Sequence, residues 1–496
     1  MNVNVLTAGR LRITGIGLLA VIIYFPLFLH LTSYPIRLWD ESRLAVNAAE
    51  MAKSGNWIVT TYDGAPDMWN TKPPLMIWMQ VICIHLFGLN ELAIRFPAAI
   101  CGVLTCAMLF LFADRYVHSY SLGFIATVVL VSSAGYIMPH VERTGDYDAM
   151  LVFLTTFYLL CFFILIESEQ QQKNFLLFFF IGITLALLCK GIAGLLFLPS
   201  LIIYAFARRK VFSILRNRSF YIGISLFFLI GGGYYLIREI INPGYFKAVL
   251  ENEAGGRYLH TIEDHKFPFW FYINQIIDSH YSAWYLLIPC GIVIGLFYKQ
   301  KMIRRLSAFL VLCVLQYILI ISSAQTKLKW YDAPIYPLLA LITGIFLNWI
   351  YEVTSQNISF SNHLKYPVGG LILMFFILIL PYSHIIDQVY SFKNYSYEQI
   401  EYEIPIYLQN AIRNQKNLNN VKIICPDYPA NILFYIDMLK ENHQAASFAR
   451  EEDIKQGDTV MVAADNIVNN LQAKYNVSII DAMNQVKVFR IISSKQ

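Results

Sequence analysis

Eleven long apolar stretches decide what this chain can become: residues 11–31, 95–113, 121–139, 150–166, 174–189, 194–206, 220–237, 283–298, 306–322, 333–350 and 368–386. A helix needs about 20 such residues to cross a hydrocarbon core of about 30 Å. Hydrophobic residues make up 57% of the 496 and charged residues 14%, against the roughly 25% charge of a soluble domain. The chain therefore reads as a polytopic membrane protein in contact with the lipid bilayer. Its formal charge of +5 names no partner, and nucleic acid is not expected. Eight cysteines are scattered without a CxxC pair, which argues against zinc sites and a disulfide scaffold. Arg10 and Arg12 precede or open the first stretch, which is too long for a signal-peptide core and reads as an uncleaved span.

Short loops rich in Lys and Arg stay in the cytoplasm. Arg208, Arg209, Lys210, Arg216 and Arg218 form one such loop without an acid between them, and Lys299, Lys301, Arg304 and Arg305 form the other. Propagating sides from these anchors puts the first loop, the stretch around Asp146, the long loop 238–282 and the segment 326–332 outside. Leu75–Phe87 is apolar but short, and counting it as a span would break the parity. With Pro73 and Pro74 ahead of it, it is predicted to be a juxtamembrane helix. After residue 386 the composition changes, with 11 Lys+Arg and 13 Asp+Glu up to Gln496. The expected organisation is a transmembrane module, 1–386, with outer loops 33–91 and 238–282, followed by an outer soluble α/β domain, 387–496.

Ionisable groups at span ends mark sites or salt bridges, and the outer face collects many. Asp40 and Glu41, with Arg43 two residues on, suit a general base and its orienting partner; the structural alternative is a helix start capped by Asp40. Lys72, ahead of Pro73-Pro74, suits a phosphate contact beside exposed backbone N–H groups or interfacial snorkelling. Glu142, Arg143, Asp146 and Asp148 crowd the start of the fourth span. If Asp146 or Asp148 met Asp40, the pair would hold a divalent metal ion or split its pKa values. Lys327 and Lys329, in the segment that runs on to Tyr331, form a basic patch on the face that the charge rule keeps poor in Lys, which suggests an anion or lipid headgroups there. Arg257, His260 and His265 in the long loop are further cationic candidates.

At these positions the chain resembles a known family. Trp39-Asp40-Glu41, Thr71-Lys72-Pro73-Pro74-Leu75, Arg143-Thr144 with Asp148-Ala149-Met150-Leu151, Cys189-Lys190-Gly191, and Lys327-Leu328-Lys329-Trp330-Tyr331 with Pro334 and Tyr336-Pro337 occur in the order seen in bacterial GT-C glycosyltransferases. These include the lipid A aminoarabinose transferases, relatives of protein O-mannosyltransferases. The resemblance implies about 11–13 transmembrane helices of GT-C type. It also implies a polyprenyl-phosphate sugar donor and an acceptor that is a lipid, a protein or a glycan. The enzyme would sit in the plasma (inner) membrane with its site facing the periplasm or exterior. Asp40 maps onto the catalytic carboxylate, Lys72 and Tyr331 onto contacts to the lipid phosphate, and Arg257 onto an arginine of the long loop. Asp40 and Asp148 are the expected ligands of a divalent metal ion. Thr71 departs from the family, which tends to carry Glu there, and the second acid falls on either Asp146 or Asp148. A polytopic secondary transporter is the rival expectation, but it calls for charges at the membrane midplane rather than at outer span ends.

Overall fold

The computed structural model describes residues 2–168, 172–259, 265–357, 368–390, 399–425 and 428–495. Among the described residues, seven helices are long and apolar enough to cross a membrane, and five more are apolar but shorter, Leu75–Phe87 among them. The protein is an integral membrane protein with an added C-terminal sheet domain. Two compact units form, residues 1–29, 67–76 and 97–389, and residues 30–66, 77–96 and 390–496. This differs from a division at residue 386, because most of the first loop belongs to the same unit as the tail.

In the first unit the burial of each helix follows its neighbours rather than its hydropathy. The helix Asp148–Glu167 is 89% buried over its most apolar window, whereas Arg218–Ile241 is 17% buried. The first is a protein-lined core element, and the second leaves most of its apolar surface outside the protein interior. Close crossings use small residues, as is common between membrane helices. On Leu287–Leu296, a Cβ at Gly291 would overlap the Ile342 carbonyl, and one at Gly295 would overlap Ser307. The C-terminal end of the first helix, Asn2–Phe28, leaves carbonyls without helical partners. Arg143 takes them, donating to the carbonyls of Pro26 (3.1 Å), Leu27 (3.3 Å) and Leu29 (2.6 Å).

The second unit is built on a sheet. Strands β1 (Thr61–Tyr62) and β2 (Ala65–Pro66) form a short hairpin. The tail supplies β3 (Val421–Ile423), β4 (Ser447–Phe448), β5 (Thr459–Val462), β6 (Tyr475–Met483) and β7 (Val486–Ser494), ordered β4-β3-β5-β7-β6. β3 runs parallel to β4 and β5, and β7 antiparallel to β5 and β6. Val460, Val462, Leu471, Phe489 and Ile491 pack in its core. Two tail helices grip the first loop through buried tyrosines. Tyr402 of Gln399–Arg413 accepts from Leu38 N–H (3.0 Å), and Tyr435 of Ala430–Glu441 accepts from Ile36 N–H (3.1 Å) while donating to Glu91 (2.9 Å). Backbone N–H groups of an irregular loop need such partners when buried.

Candidate functional site

In the second unit the helix Asp40–Ser54 begins directly after Trp39, which occupies the cap position at φ 72°, ψ −117° without a side-chain cap. Asp40 is thus the first helical residue, not the cap. A bulky non-glycine residue at positive φ is strained and persists only where the surroundings impose it. Here Trp39 stacks on Tyr428 of the tail, centroids 5.3 Å apart and planes 12° from parallel. The two adjacent acids then part company. Glu41 is fully buried and bidentate with Arg95 (2.6 and 2.9 Å), and it also accepts from Arg37 N–H (2.7 Å). Arg95 spends its other donors on the carbonyls of Leu31, Tyr34 and Pro35, each at 2.8 Å. Asp40 is exposed.

In the first unit, segment 67–76 is held by the long loop. Asp67 turns the chain by accepting from the N–H groups of Trp69 and Asn70, both at 3.0 Å. Tyr245 donates to the Thr71 carbonyl (2.6 Å), and Asn252 to that of Met68 (3.2 Å). This delivers Lys72 to Glu253, with Nζ 3.4 Å from Oε1, and over the ring of Tyr147 at 5.6 Å. Thr71 lies 3.5 Å from the same Glu253 oxygen, so a carboxylate from the loop stands beside the position where the family tends to place one in sequence.

A second lysine lies nearby. Lys190 ends the helix Gln172–Lys190, and its ammonium bonds both oxygens of Asp148 at 2.6 Å. It also sits 5.5 Å from the Tyr331 ring centroid. Gly191 follows at φ +55°, and a Cβ there would meet Tyr235 and Glu253, so the loop closes over the turn behind Lys190. Lys72, Tyr147, Lys190, Asp148, Tyr331 and Glu253 therefore belong to one constellation, with Tyr147 adjacent to Asp148 in the chain.

Asp146 belongs to a separate small network, accepting from Thr144 Oγ1 (2.6 Å) with His140 Nδ1 at 3.2 Å. The His140 ring lies flat on Trp330, 3.8 Å away at 9°. Lys327 is buried and donates to the Ala324 carbonyl (2.5 Å); its loss of hydration pulls its pKa down from the ordinary lysine value. Lys329 is exposed at the start of the turn Lys329–Ile335, and Tyr331 is half-buried. His265 contributes its carbonyl to Lys327 N–H (3.0 Å). His260 and the Arg257 side chain lie outside the described residues.

Sequence reasoning left out Glu253, Tyr147 and His140, and it treated Lys190 and Trp330 as parts of motifs only. Lys190 carried a legible signal, a lone cation ending an apolar span. Glu253 carried none, since an acid in a long loop is unremarkable until the loop is placed.

A family model described as dolichyl-phosphate-mannose-protein mannosyltransferase matches residues 71–231, beginning at Thr71. Across the whole fold, the chain superposes on ArnT from Cupriavidus metallidurans bound to undecaprenyl phosphate with a TM-score of 0.66 and 15% identity, covering 96% of this chain and 97% of that one. The two chains share a fold. A second solved structure, the Archaeoglobus fulgidus oligosaccharyltransferase, aligns at a TM-score of 0.57 and 12% identity, over 95% of this chain and 69% of that one. In sequence, an uncharacterised Aquifex aeolicus protein is 28% identical over 62% of this chain and 59% of its own length. The Aeromonas hydrophila undecaprenyl phosphate-alpha-4-amino-4-deoxy-L-arabinose arabinosyl transferase is 24% identical over 72% and 65%. The match thus spans somewhat less than two thirds of either relative.

Proposed function

We propose that this protein is a GT-C glycosyltransferase that moves a sugar from a polyprenyl-phosphate donor to a lipid, protein or glycan acceptor, on the extracytoplasmic side of the plasma membrane. The observation that carries this is the loosely paired Lys72, set on a loop-anchored segment between Glu253 and Tyr147. It is a cation available to an incoming phosphate, at the start of the region shared with a dolichyl-phosphate-dependent family. A solved relative in fold holds undecaprenyl phosphate, which supports a polyprenyl phosphate as the donor's leaving group. The transporter reading lacks support, because these charges sit at helix ends and in loops rather than within spans.

In this reading Asp40 takes the proton from the acceptor nucleophile as it attacks the anomeric carbon, the C–O bond to phosphate breaks, and the configuration inverts. Lys72, Tyr331, Lys329 and Arg257 bind the lipid phosphate and stabilise its growing charge, a term often large in catalysis. Lys327, buried on a backbone carbonyl, and Asp148, closed on Lys190, serve by fixing this surface. Glu41 fixes the turn that presents Asp40. As a metal ligand Asp148 is poorly suited, since both oxygens already carry an ammonium; Asp146 with His140 offers one oxygen and one nitrogen donor instead. A divalent ion there would supply Lewis-acid charge toward a phosphate oxygen.

The test is transfer of label from a radiolabelled polyprenyl-phosphate sugar to extracted lipids and proteins by wild type and Asp40→Asn, with and without chelator. Label moving only with wild type supports the reading and names the acceptor. Retained transfer in folded Asp40→Asn removes the base assignment, and no transfer across a panel of sugars removes the activity.

A further inference from the structure

The loop 208–218 carries Arg208, Arg209, Lys210, Arg216 and Arg218 and no acid. Arg208 is neutralised within the fold, because Glu167 accepts from it (2.6 and 3.1 Å), from Arg305 (2.6 Å) and from Tyr204 (2.7 Å). Among the described residues, no carboxylate pairs with Arg209, Lys210, Arg216 or Arg218. Four cations are thus held at one end of the membrane unit without a carboxylate partner among the described residues.

Beside this loop the helices Asp148–Glu167, Gln172–Lys190, Leu198–Ala207 and Arg218–Leu226 leave a groove of about 380 Å³, walled by side chains such as Phe162, Phe179, Leu201, Phe220 and Phe228. That volume falls in the range of small-molecule sites. Its lining is entirely apolar, so water gains nothing by entering it. The groove shares Leu176 and Ile214 with a small polar hollow formed by Lys210, Ser213 and Asn217. An apolar channel thus ends at a cationic, hydrogen-bonding mouth at the level of the basic loop.

We propose that this groove binds an anionic diacyl phospholipid of the leaflet on the basic-loop side, with an acyl chain between the helices and the phosphate at Lys210 and Ser213. Basic pockets between membrane helices recognise anionic headgroups in this way. A zwitterionic lipid would bring its own ammonium into a field of four cations that no described carboxylate pairs, whereas an anionic lipid reduces that field. A second groove of about 540 Å³, lined by Leu18, Phe124, Met374 and Phe375, offers a contrast. The cation near its Tyr120 end, Arg12, is already paired with Asp114 (3.1 Å), so no headgroup preference is expected there. The inference is independent of the reaction assigned above.

The experiment is native mass spectrometry of the purified full-length protein given equimolar dioleoyl phosphatidylglycerol and dioleoyl phosphatidylcholine. Wild type is expected to retain phosphatidylglycerol at least about tenfold over phosphatidylcholine, since several cations face the headgroup. Arg209→Gln/Lys210→Gln/Arg216→Gln should lose that preference, and Ile214→Trp, which fills the junction, should lose the bound lipid with every charge in place. Lys299→Gln/Lys301→Gln on the other basic loop should behave as wild type, and glycerol phosphate should not compete. Equal retention of both lipids by wild type, or an unchanged preference in the triple variant, overturns the proposal. So does full retention in Ile214→Trp, which would reduce the site to charge at the loop.

Discussion

Two lysine–carboxylate pairs in the membrane unit use the same chemistry to opposite ends. Lys190 holds both oxygens of Asp148 at 2.6 Å, with side chains 8% and 4% exposed. Lys72 stands 3.4 Å from one oxygen of Glu253, with side chains 18% and 12% exposed. The first pair has closed on itself, and its charges are satisfied at the cost of desolvation. The second is long and partly hydrated, so an incoming anion has little to displace. The first loop repeats the contrast in adjacent residues, Glu41 sealed against Arg95 and Asp40 exposed beside it. In the proposed function the closed pairs hold the fold, and the more accessible groups meet the ligand.

The comparison is broken most easily at Asp40. Asp40→Asn is expected to lower transfer by about 10²–10⁴-fold, the usual contribution of a positioned base, with no change in thermal unfolding because the side chain is exposed. Glu41→Gln should do the reverse, with poor expression and early unfolding. Retained activity in Asp40→Asn, or a normal melting curve in Glu41→Gln, would mean that open and closed have been assigned the wrong way round. Removing one partner of the sealed lysine pair tests the same point in the other unit. Lys190→Met leaves Asp148 buried and unpaired, which should destabilise by about 3–5 kcal/mol, measured by thermal unfolding in detergent. The double variant Lys190→Met/Asp148→Leu should recover most of that loss.

Lys72→Met sharpens the distinction from the open side. Its stability should fall less than that of Lys190→Met, because the pair is longer and less buried, while transfer falls by about 10²–10³-fold for loss of one charge-stabilising contact. Glu253→Gln should cost less, chiefly in donor KM. A large stability loss in Lys72→Met would show that this pair, too, is structural.

Much of this organisation was legible before any coordinates. Apolar length gave the helices, and Leu75–Phe87 appears with the bounds expected for a helix too short to cross. Asp40, Lys72 and Asp148 stood out because ionisable side chains at span ends are costly and few, and Tyr331 only through the resemblance. What periodicity could not supply was which acid faces which cation. Asp40 and Glu41 are identical in local pattern, and only Arg95, 54 residues away, separates them. Glu253 and Tyr428 were invisible for the same reason, since each gains its role from a contact distant in sequence. The division into units was also hidden, because tyrosine hydroxyls of the tail, at Tyr402 and Tyr435, reach backbone groups of residues 36 and 38.

Glu142 is the case that neither class covers, and it carries the smallest expected effect. Its carboxyl is fully buried, neither oxygen finds a hydrogen-bond partner among the described residues, and it packs where a Cβ on Gly102 would stand. The neighbouring cation, Arg143, is turned away to the carbonyls of residues 26, 27 and 29. The titratable groups around Glu142 are Tyr136, Cys101 and Cys106, none of them cationic. Burial therefore pushes the Glu142 carboxyl well above its ordinary range. With the folded pKa above the unfolded one, folding favours the protonated form. Its contribution is complete below about pH 4.3, the unfolded glutamate value, and is lost as pH rises through the folded pKa. Glu142→Gln keeps the shape and removes the titration. It should match wild type in urea unfolding at pH 4 and become progressively more stable than wild type toward pH 9. Parallel pH profiles for the two proteins would place a compensating cation at Glu142 and move it into the closed class with Glu41 and Asp148.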